Sequence, residues 1–441
     1  MKFLKQIKSW KKFPSLDTLG YYFPLGNYIY LDQYTDENDF AKALENPIID
    51  RNRFSVFVHE YQHYIDHVST LWGAENIFKI FRAFDAVLKE DEHKFFNYRE
   101  LHLNMKRNYF LDYYTENYKI APGGNGRHWK FQITTGTRFD HNGKVYEEWP
   151  IPFIVFKNLD NSRISRVPIS IASLLETTAT AAEYYFQYNA IQTLGPAYKE
   201  IQLSALYQKI DEKLYNPELA LYSAAVHITS AYLKITDPIL AYRLSSVFAK
   251  IALNIPSSEF KNLIIPKNED ETPGSEPRRL KLVANLDRGY AFCILILNYV
   301  AKYGPSGNSE IELEDILSAS NLPTEKKMQD LINAEIVKLN QDSILQRNDF
   351  SRMITDKIYF GRKFREQTGI GQTNETGDLS EFIREMPHII YNSTFFDYED
   401  LELAPIFEKS IKQEELTMEE WFKLSTYCEK KIDDFNKICG I

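Results

Sequence analysis

The chain has 441 residues, of which 44% are hydrophobic and 26% are charged, and this composition excludes a disordered chain. Its formal net charge is -9, and no basic stripe stands out to neutralise phosphates, so we expect no nucleic-acid partner. The three cysteines, Cys293, Cys428 and Cys439, show no CxxC spacing and are predicted to be free thiols of a reducing compartment.

Neither the N-terminus nor the apolar segments indicate secretion or membrane insertion. The N-terminal sequence MKFLKQIKSWKK is basic but no apolar run follows it, so it predicts a solvated first helix rather than a secretory signal. A contact with a membrane surface or a partner is the alternative. The longest apolar stretch, residues 291–300, is too short to span a bilayer and predicts a buried helix. We therefore expect a cytoplasmic protein without a transmembrane segment.

In chain order, the patterns predict a mixture of helices and a few strands. The expected elements are a strand at 26–34, a helix at 52–70, a helical stretch at 74–118, a hairpin of 131–139 with 144–156, and a long helix at 169–192. The Asn-Gly pair at 142–143 is the turn signal for the hairpin, and the loop-like residues 121–129 precede it. The remainder of the chain is predicted to be mostly helical.

These elements predict a predominantly helical α+β fold in several parts. The parts are a core of residues 1–192 with a β-hairpin insertion near 121–160, a helical part at 193–264 that completes the core or cleft, a linker or long loop at 265–279, and a helical C-terminal domain at 280–441. The linker is predicted because residues 265–279 are rich in proline, glycine and charge.

The segment FVHEYQHYIDH, residues 57–67, contains the motif HExxH in His59, Glu60 and His63. Residues four apart on a helix lie about 40° apart around its axis, so both imidazoles project from one face and can bind one metal ion. Zinc accepts imidazole nitrogen readily, and a catalytic zinc site has three protein ligands and one open position. Glu60 sits beside this face, where it can accept a proton instead of binding the metal.

Two further residues of the same helix extend the motif. Asp66 lies on the face of the histidines and can accept a hydrogen bond from a ligand imidazole, or it is a solvated surface aspartate. His67 continues the spacing of four, but three ligands in line on one helix would splay too far along its axis to reach one ion. We therefore interpret His67 as a satisfied or surface histidine.

The third ligand is expected on the helix at 169–192. Glu176 lies in an apolar run among small residues, which allow close approach of helices. Glu183 is seven residues further on and shares its face, so one carboxylate can bind the metal while the other orients a ligand histidine. We predict Glu176 as the ligand and Glu183 as its supporting residue, with the exchanged roles as the alternative.

The combination of HExxH with a glutamate on a later helix resembles the gluzincin type of zincin metallopeptidase. The matching residues are His59, Glu60, His63 and Glu176, with Ala179 three residues after the glutamate. The resemblance covers residues 26–192 and implies a zincin-like core, a zinc ion, Glu60 as general base and peptide-bond hydrolysis. The chain departs from the family in the long separation between His63 and Glu176. The predicted hairpin lies in this insertion, where it lines the cleft as an edge strand or lies elsewhere.

Peptide hydrolysis also needs a hydrogen-bond donor for the tetrahedral oxyanion. The candidates are Tyr184, Tyr185, His227 and His128, and the sequence does not choose among them. A lone histidine in an apolar helix, such as His227, is more often a core residue.

The functional prediction is an intracellular, substrate-selective zinc metallopeptidase that acts on a protein or peptide. Three alternatives remain open: an inactive binding or scaffold protein on a zincin-like core, a helical interaction protein in which HExxH is accidental, and a zinc hydrolase for a non-peptide amide. The intact Glu60 argues against the scaffold protein, because a retired site tends to lose its base first. The sequence leaves the oligomeric state and the substrate open.

Overall fold

A computed structural model describes residues 19–88, 94, 96–105, 111–118, 129–139, 143–266, 275–341, 349–371, 386–391, 403–412, 414 and 416–438. The strands are β1 (Gly20–Phe23), β2 (Tyr28–Leu31), β3 (Glu116–Asn117), β4 (Lys130–Phe139), β5 (Val145–Lys157), β6 (Arg163–Pro168) and β7 (His388–Tyr391). The helices are α1 (Glu37–Glu45), α2 (Arg51–Ser69), α3 (Leu71–Leu88), α4 (Phe96–Asn104), α5 (Ile171–Gln192), α6 (Pro196–Leu214), α7 (Ala220–Leu233), α8 (Pro238–Asn254), α9 (Ser275–Ala284), α10 (Arg288–Tyr303), α11 (Leu313–Ala319), α12 (Glu325–Gln341), α13 (Asp349–Thr368), α14 (Leu403–Lys412) and α15 (Met418–Ile438).

The described residues are predominantly helical with two small sheets, which confirms the predicted fold class at that level. The helices predicted at 52–70 and 169–192 are α2 and α5, and the predicted hairpin is formed by β4 and β5. The helical stretch predicted at 74–118 is wrong at its end, because Glu116–Asn117 pairs with β6 as a strand. A two-residue strand carries too little periodicity to be distinguished from a helix end.

The first sheet has the order β1-β2-β7 and lies against the motif helix α2. β1 and β2 are antiparallel, whereas β7, from the far end of the chain, runs parallel to β2. The predicted strand at 26–34 is therefore only β2 with its flanking turns. On the face away from α2, Tyr28 and Ile390 pack against Phe422 of α15. The C-terminal helix thus covers the sheet that borders the motif.

The second sheet has the order β3-β6-β5-β4 and leads into α5. Its inner face packs on α7, where Trp129 and Phe156 contact the ring of His227. β6 ends at Pro168, and α5 then begins with a capping box in which Ser170 and Ser173 bond each other's backbone amide. The principal sheet contacts of α2 are with β1 and β2, so the hairpin does not take the place beside the motif.

The helices α2 and α5 form an antiparallel pair at the centre of the fold. Their register is seen in the contacts of Ser55 with Gln187 near one end and of Asp66 with Thr178 near the other. Ala179, a buried small residue close to the face of Glu176 and Glu183, permits the close approach. This pair carries every residue predicted to bind a metal.

Two glycines of the C-terminal half pack directly on the backbone of this pair. A Cβ added at Gly361 of α13 would lie 1.7 Å from the carbonyl oxygen of Val68, and one added at Gly289 of α10 would lie 1.9 Å from that of Ile169. Only glycine permits such contacts. The hydrophobic core is continuous from Ile29 to Ile432, so the described elements of residues 280–438 complete the packing around α2 and α5.

The predicted linker at 265–279 is partly helical. Residues 275–279 begin α9, whose Arg278 forms an ion pair with Glu147 of β5 at 3.3 Å. Residues 267–274 lie outside the described part of the chain.

The apolar stretch 291–300 forms the centre of α10, and Phe292 and Cys293 there are at most 1% exposed. Cys293 and Cys428 are free thiols, and Cys439 lies outside the described residues. Within the described ranges, no helix combines the length and the hydrophobicity needed to cross a membrane.

Candidate metal centre

His59 and His63 project from α2 toward α5, as their spacing predicts. Their ring centroids are 5.0 Å apart, and both side chains are largely buried. The sequence around them is apolar at Phe54 and Phe57, which are 1% exposed and fix the rotation of α2 about its axis. The two imidazoles are therefore held inside the protein, on the face of α2 that meets α5.

Glu176 completes a three-residue cluster with the two histidines. Its Oε2 atom lies 3.3 Å from Nε2 of His59 and 3.6 Å from Nε2 of His63. Ligands at about 2.0–2.1 Å from a tetrahedral zinc ion are separated by about 3.3–3.4 Å, so these separations match those of a zinc site. Among the described residues, Oε2 of Glu176 is buried and makes no hydrogen bond. The cluster could hold a metal ion, and of the two glutamates it is Glu176 that faces both Nε2 atoms.

Glu183 lies on the other side of the His59 ring, where its Oε2 is 3.5 Å from Nδ1. Gln187 donates a hydrogen bond of 3.0 Å to the second carboxylate oxygen, and the ammonium groups of Lys209 and Lys213 lie 3.6 and 3.9 Å from it. Burial alone would raise the pKa of Glu183, but Lys213, His59 and Lys209 outweigh it and lower the pKa to about 2. A carboxylate fixed in this way holds the Nδ1–H of His59 and turns Nε2 toward the cluster.

The ring of His59 lies between two carboxylates, which favour its charged form. Burial disfavours this charge, yet the facing carboxylates of Glu176 and Glu183 outweigh burial and raise the pKa of His59 to about 10. Burial would likewise raise the pKa of Glu176, but His63 and His59 lower it to about 2. The metal-free cluster thus favours a protonated His59, and binding of a metal ion there would release this proton.

Glu60 is held beside the cluster by the edge of the first sheet. It is 7% exposed, and its Oε2 accepts a hydrogen bond of 2.7 Å from the backbone amide of Tyr22 in β1. Gly20 of the same strand lies against it, since an added Cβ would be 3.2 Å from Cγ of Glu60. Burial raises the pKa of Glu60 above its ordinary value. A fixed carboxylate with a raised pKa is suited to accept a proton near neutral pH.

Asp66 and His67 do not bind the cluster. The carboxylate of Asp66 is completely buried, but it accepts hydrogen bonds from Gln62, at 2.8 Å, and from Thr178 instead of a ligand imidazole. The predicted bond to an imidazole is therefore not formed, because Asp66 points to α5 beside Thr178. His67 is buried with Nδ1 2.8 Å from the carbonyl oxygen of His63, and burial lowers its pKa to about 3. It is a core histidine, as predicted.

Two of the four candidate oxyanion donors, His227 and Tyr184, lie in the core. Nε2 of His227 is 2.9 Å from the carbonyl oxygen of Leu214, and its ring stacks on Trp129 in the core beneath the second sheet. Tyr184 is fully buried with its ring against that of Tyr242, on the side of α5 that packs on α8. Both residues occupy core positions, which disfavours them as oxyanion donors. Tyr185 is half-buried, and His128 lies outside the described residues.

Several residues around the cluster carry no local sequence signal. The amide of Tyr22 and the side chains of Lys209 and Lys213 reach the site only through tertiary packing. Gln187 differs, because it lies one helical turn from Glu183, and helix spacing alone could have indicated it. Comparison with known protein families, with curated proteins and with solved structures gives no match, so the interpretation rests on the geometry of the cluster.

Proposed function

We propose that the protein is a zinc-dependent metallopeptidase with a zincin-like core that acts on selected protein or peptide substrates. The observation that supports this is the convergence of His59, His63 and Glu176 at separations typical of zinc ligands, with Glu60 buried alongside. Two nitrogens and one oxygen are the donor set of many catalytic zinc sites, and they leave one coordination position for chemistry.

Each residue of the site has a separate role in the proposed reaction. His59, His63 and Glu176 would hold the ion, which when bound supplies a Lewis acid that lowers the pKa of water and polarises a carbonyl group. Glu60 accepts the proton of the attacking water at its carboxylate and returns it to the leaving amine. The backbone amide of Tyr22 holds Glu60 in place for both transfers, and Glu183 fixes the tautomer of His59.

The outer edge of β1 offers a place for an extended substrate. The backbone amide of Asp32 donates a hydrogen bond to the carbonyl oxygen of Leu19, and hydrogen-bonded residues alternate along an antiparallel pair of strands. The amides of Gly20 and Tyr22 therefore point away from β2, and the amide of Tyr22 reaches Glu60. In the part of the chain that the structure describes, no strand pairs with this edge. A peptide added there as a strand would pass beside Glu60. In this proposal β1, rather than the hairpin, lines the cleft as an edge strand.

The geometry of the buried cluster disfavours the accidental motif and the inactive scaffold protein more strongly than it disfavours a hydrolase for a non-peptide amide. An accidental motif would leave three ionisable side chains converging in the interior, which is costly without a partner. An inactive scaffold would not need Glu60 held in a fixed position. A hydrolase for a non-peptide amide uses the same residues, and the edge of β1 is the feature that favours a peptide.

Metal content and peptide cleavage together test this proposal. The wild-type protein is expected to bind about one zinc ion per chain, His63→Ala and Glu176→Ala to lose it, and Glu60→Gln to keep it without cleaving a peptide library. Glu200→Gln, an exposed change on α6, is the control and should behave as wild type. A wild-type protein that binds no zinc when supplied with it would refute the proposal, as would full cleavage by Glu60→Gln.

A further inference from the structure

Behind the ligand cluster lies a buried polar group that the proposed reaction does not use. It consists of Asp66 and Gln62 of α2, Thr178 of α5 and Lys250 of α8, each at most 5% exposed. Gln62 donates to one carboxylate oxygen of Asp66 at 2.8 Å and the hydroxyl of Thr178 donates to the other. Burying two charged side chains is expensive, and replacing such pairs with apolar residues is often neutral or stabilising. General stability is therefore a weak explanation for this group.

The position of the group relates it to the metal ligands. Asp66 follows His63 by less than one helical turn, and Thr178 follows Glu176 by two residues. At the other end of the helix pair, Gln187 donates to Ser55 at 3.0 Å and also to Glu183. The two histidines thus lie between two buried cross-links of α2 to α5, and Glu176 lies two residues before the cross-link at Thr178. A metal site tolerates displacements of only about 0.5 Å, so the axial register of these two helices determines whether it forms.

We propose that Asp66 is a positioning residue of the metal centre, which acts through Thr178 to fix the register of α5 against α2. The proposal rests on the metal centre proposed above. Lys250 acts on the same carboxylate from α8, because the ammonium and carboxylate charges attract each other in the interior. The Asp66–Thr178 bond then sets the separation between Glu176 and the two histidines.

A matched pair of threonines on α5 provides the test. Thr177 and Thr178 are both completely buried and follow Glu176 directly, and each hydroxyl lies near a carbonyl oxygen of its own helix, that of Ser173 at 2.8 Å and that of Leu175 at 2.7 Å. Of the two hydroxyls, that of Thr178 also reaches the carboxylate of Asp66. Thr178→Val is expected to weaken zinc affinity about tenfold, as removal of a residue that supports metal ligands typically does. Thr177→Val should change it less than about twofold, and Thr178→Ser should restore it. Affinity is measured by competition with a chelator, without substrate.

A second comparison keeps the proposal testable if one of these variants folds poorly. Asp66→Asn and the double variant Asp66→Asn with Thr178→Val are measured beside the single changes, with the melting temperature of each metal-free protein. If the two residues act as a unit, the double variant loses no more zinc affinity than the weaker-binding single variant. Equal affinity in Thr178→Val and Thr177→Val, or additive losses in the double variant, would overturn the proposal.

Failure of the positioning role can be distinguished from failure of the proposed function. A wild-type protein that binds zinc but cleaves nothing refutes the peptidase and still tests the positioning role by affinity. A wild-type protein that binds no zinc overturns both.

Discussion

Nδ1 of His59 faces Oε2 of Glu183 at 3.5 Å, while Nε2 on the opposite side of the same ring faces Glu176 at 3.3 Å. One imidazole is thus held between two carboxylates of α5 that are seven residues, or about two helical turns, apart. The two glutamates have similar sequence surroundings, but only Glu176 also reaches His63. The ring of His59 therefore separates the ligand side of the site from its supporting side.

Glu183→Gln should weaken zinc binding without removing the site. The neutral amide still accepts a hydrogen bond but no longer stabilises the orientation of His59 with a full charge, and Lys209 and Lys213 lose their counter-ion. We expect about a tenfold loss of zinc affinity, measured by chelator competition. Glu200→Gln makes the same change of charge on an exposed face of α6 and should leave affinity unchanged. If the two variants bind zinc equally well, Glu183 does not support the site.

Zinc should stabilise the protein more as the pH rises. The raised pKa of His59, about 10 against 6.5, means that its pairing stabilises the metal-free protein fully below about pH 6.5 and is lost as the pH approaches 10. The lowered pKa values of Glu176 and Glu183, about 2 against 4.5, give stability above pH 4.5 that is lost as the pH falls toward 2. The metal-free protein should therefore be most stable between about pH 4.5 and 6.5.

Melting temperatures with and without zinc, measured from pH 6 to 9, test this dependence. Because the metal displaces the proton of His59, the zinc-induced increase in melting temperature should grow with pH over this range. In His59→Ala the increase should be absent. A zinc effect of constant size from pH 6 to 9 in the wild type would contradict the protonated state assigned to the metal-free cluster.

The cluster of His59, His63 and Glu176 could be predicted from sequence because helix periodicity fixes the directions of these side chains. His59, Glu60 and His63 needed only the geometry of one helix, and Glu176 needed an apolar helix with small residues on the facing side. Asp66 was placed on the correct face, but its partner could not be foreseen, because Thr178 lies more than a hundred residues away in the chain. The same holds for Tyr22, whose amide reaches Glu60 from a strand that carries no motif.

The packing around the site was the least predictable part of the fold. The strand β7 joins the first sheet from residues 388–391, and α15 covers that sheet from the end of the chain. Such parallel, long-range pairings leave no signature in local periodicity. Likewise, the aromatic surroundings of His227 distinguish a core residue from an oxyanion donor only after β5 and α7 are brought together.

His227→Leu should lower stability without affecting zinc binding. The change removes ring contacts with Trp129 and Phe156 and leaves the carbonyl group of Leu214 without its 2.9 Å partner. We expect a loss of about 1–3 kcal/mol in the free energy of unfolding, measured by urea denaturation. His63→Ala should show the reverse result, with loss of zinc binding as its main effect. A loss of zinc affinity in His227→Leu would place this histidine in the site after all.

Gly361→Ala tests whether the C-terminal half holds the motif helix in place. The new Cβ would lie 1.7 Å from the carbonyl oxygen of Val68, so α13 would have to move away from the end of α2. We expect a loss of about 3 kcal/mol in the free energy of unfolding, because backbone cannot yield as a side chain can. Gly195→Ala is the control, since nothing lies within 4 Å of its Cβ position and its φ of -62° suits alanine. Its cost should stay near 1 kcal/mol, the usual penalty for alanine at the N-cap of a helix. Equal stability of the two variants would mean that α13 does not pack on α2 as described.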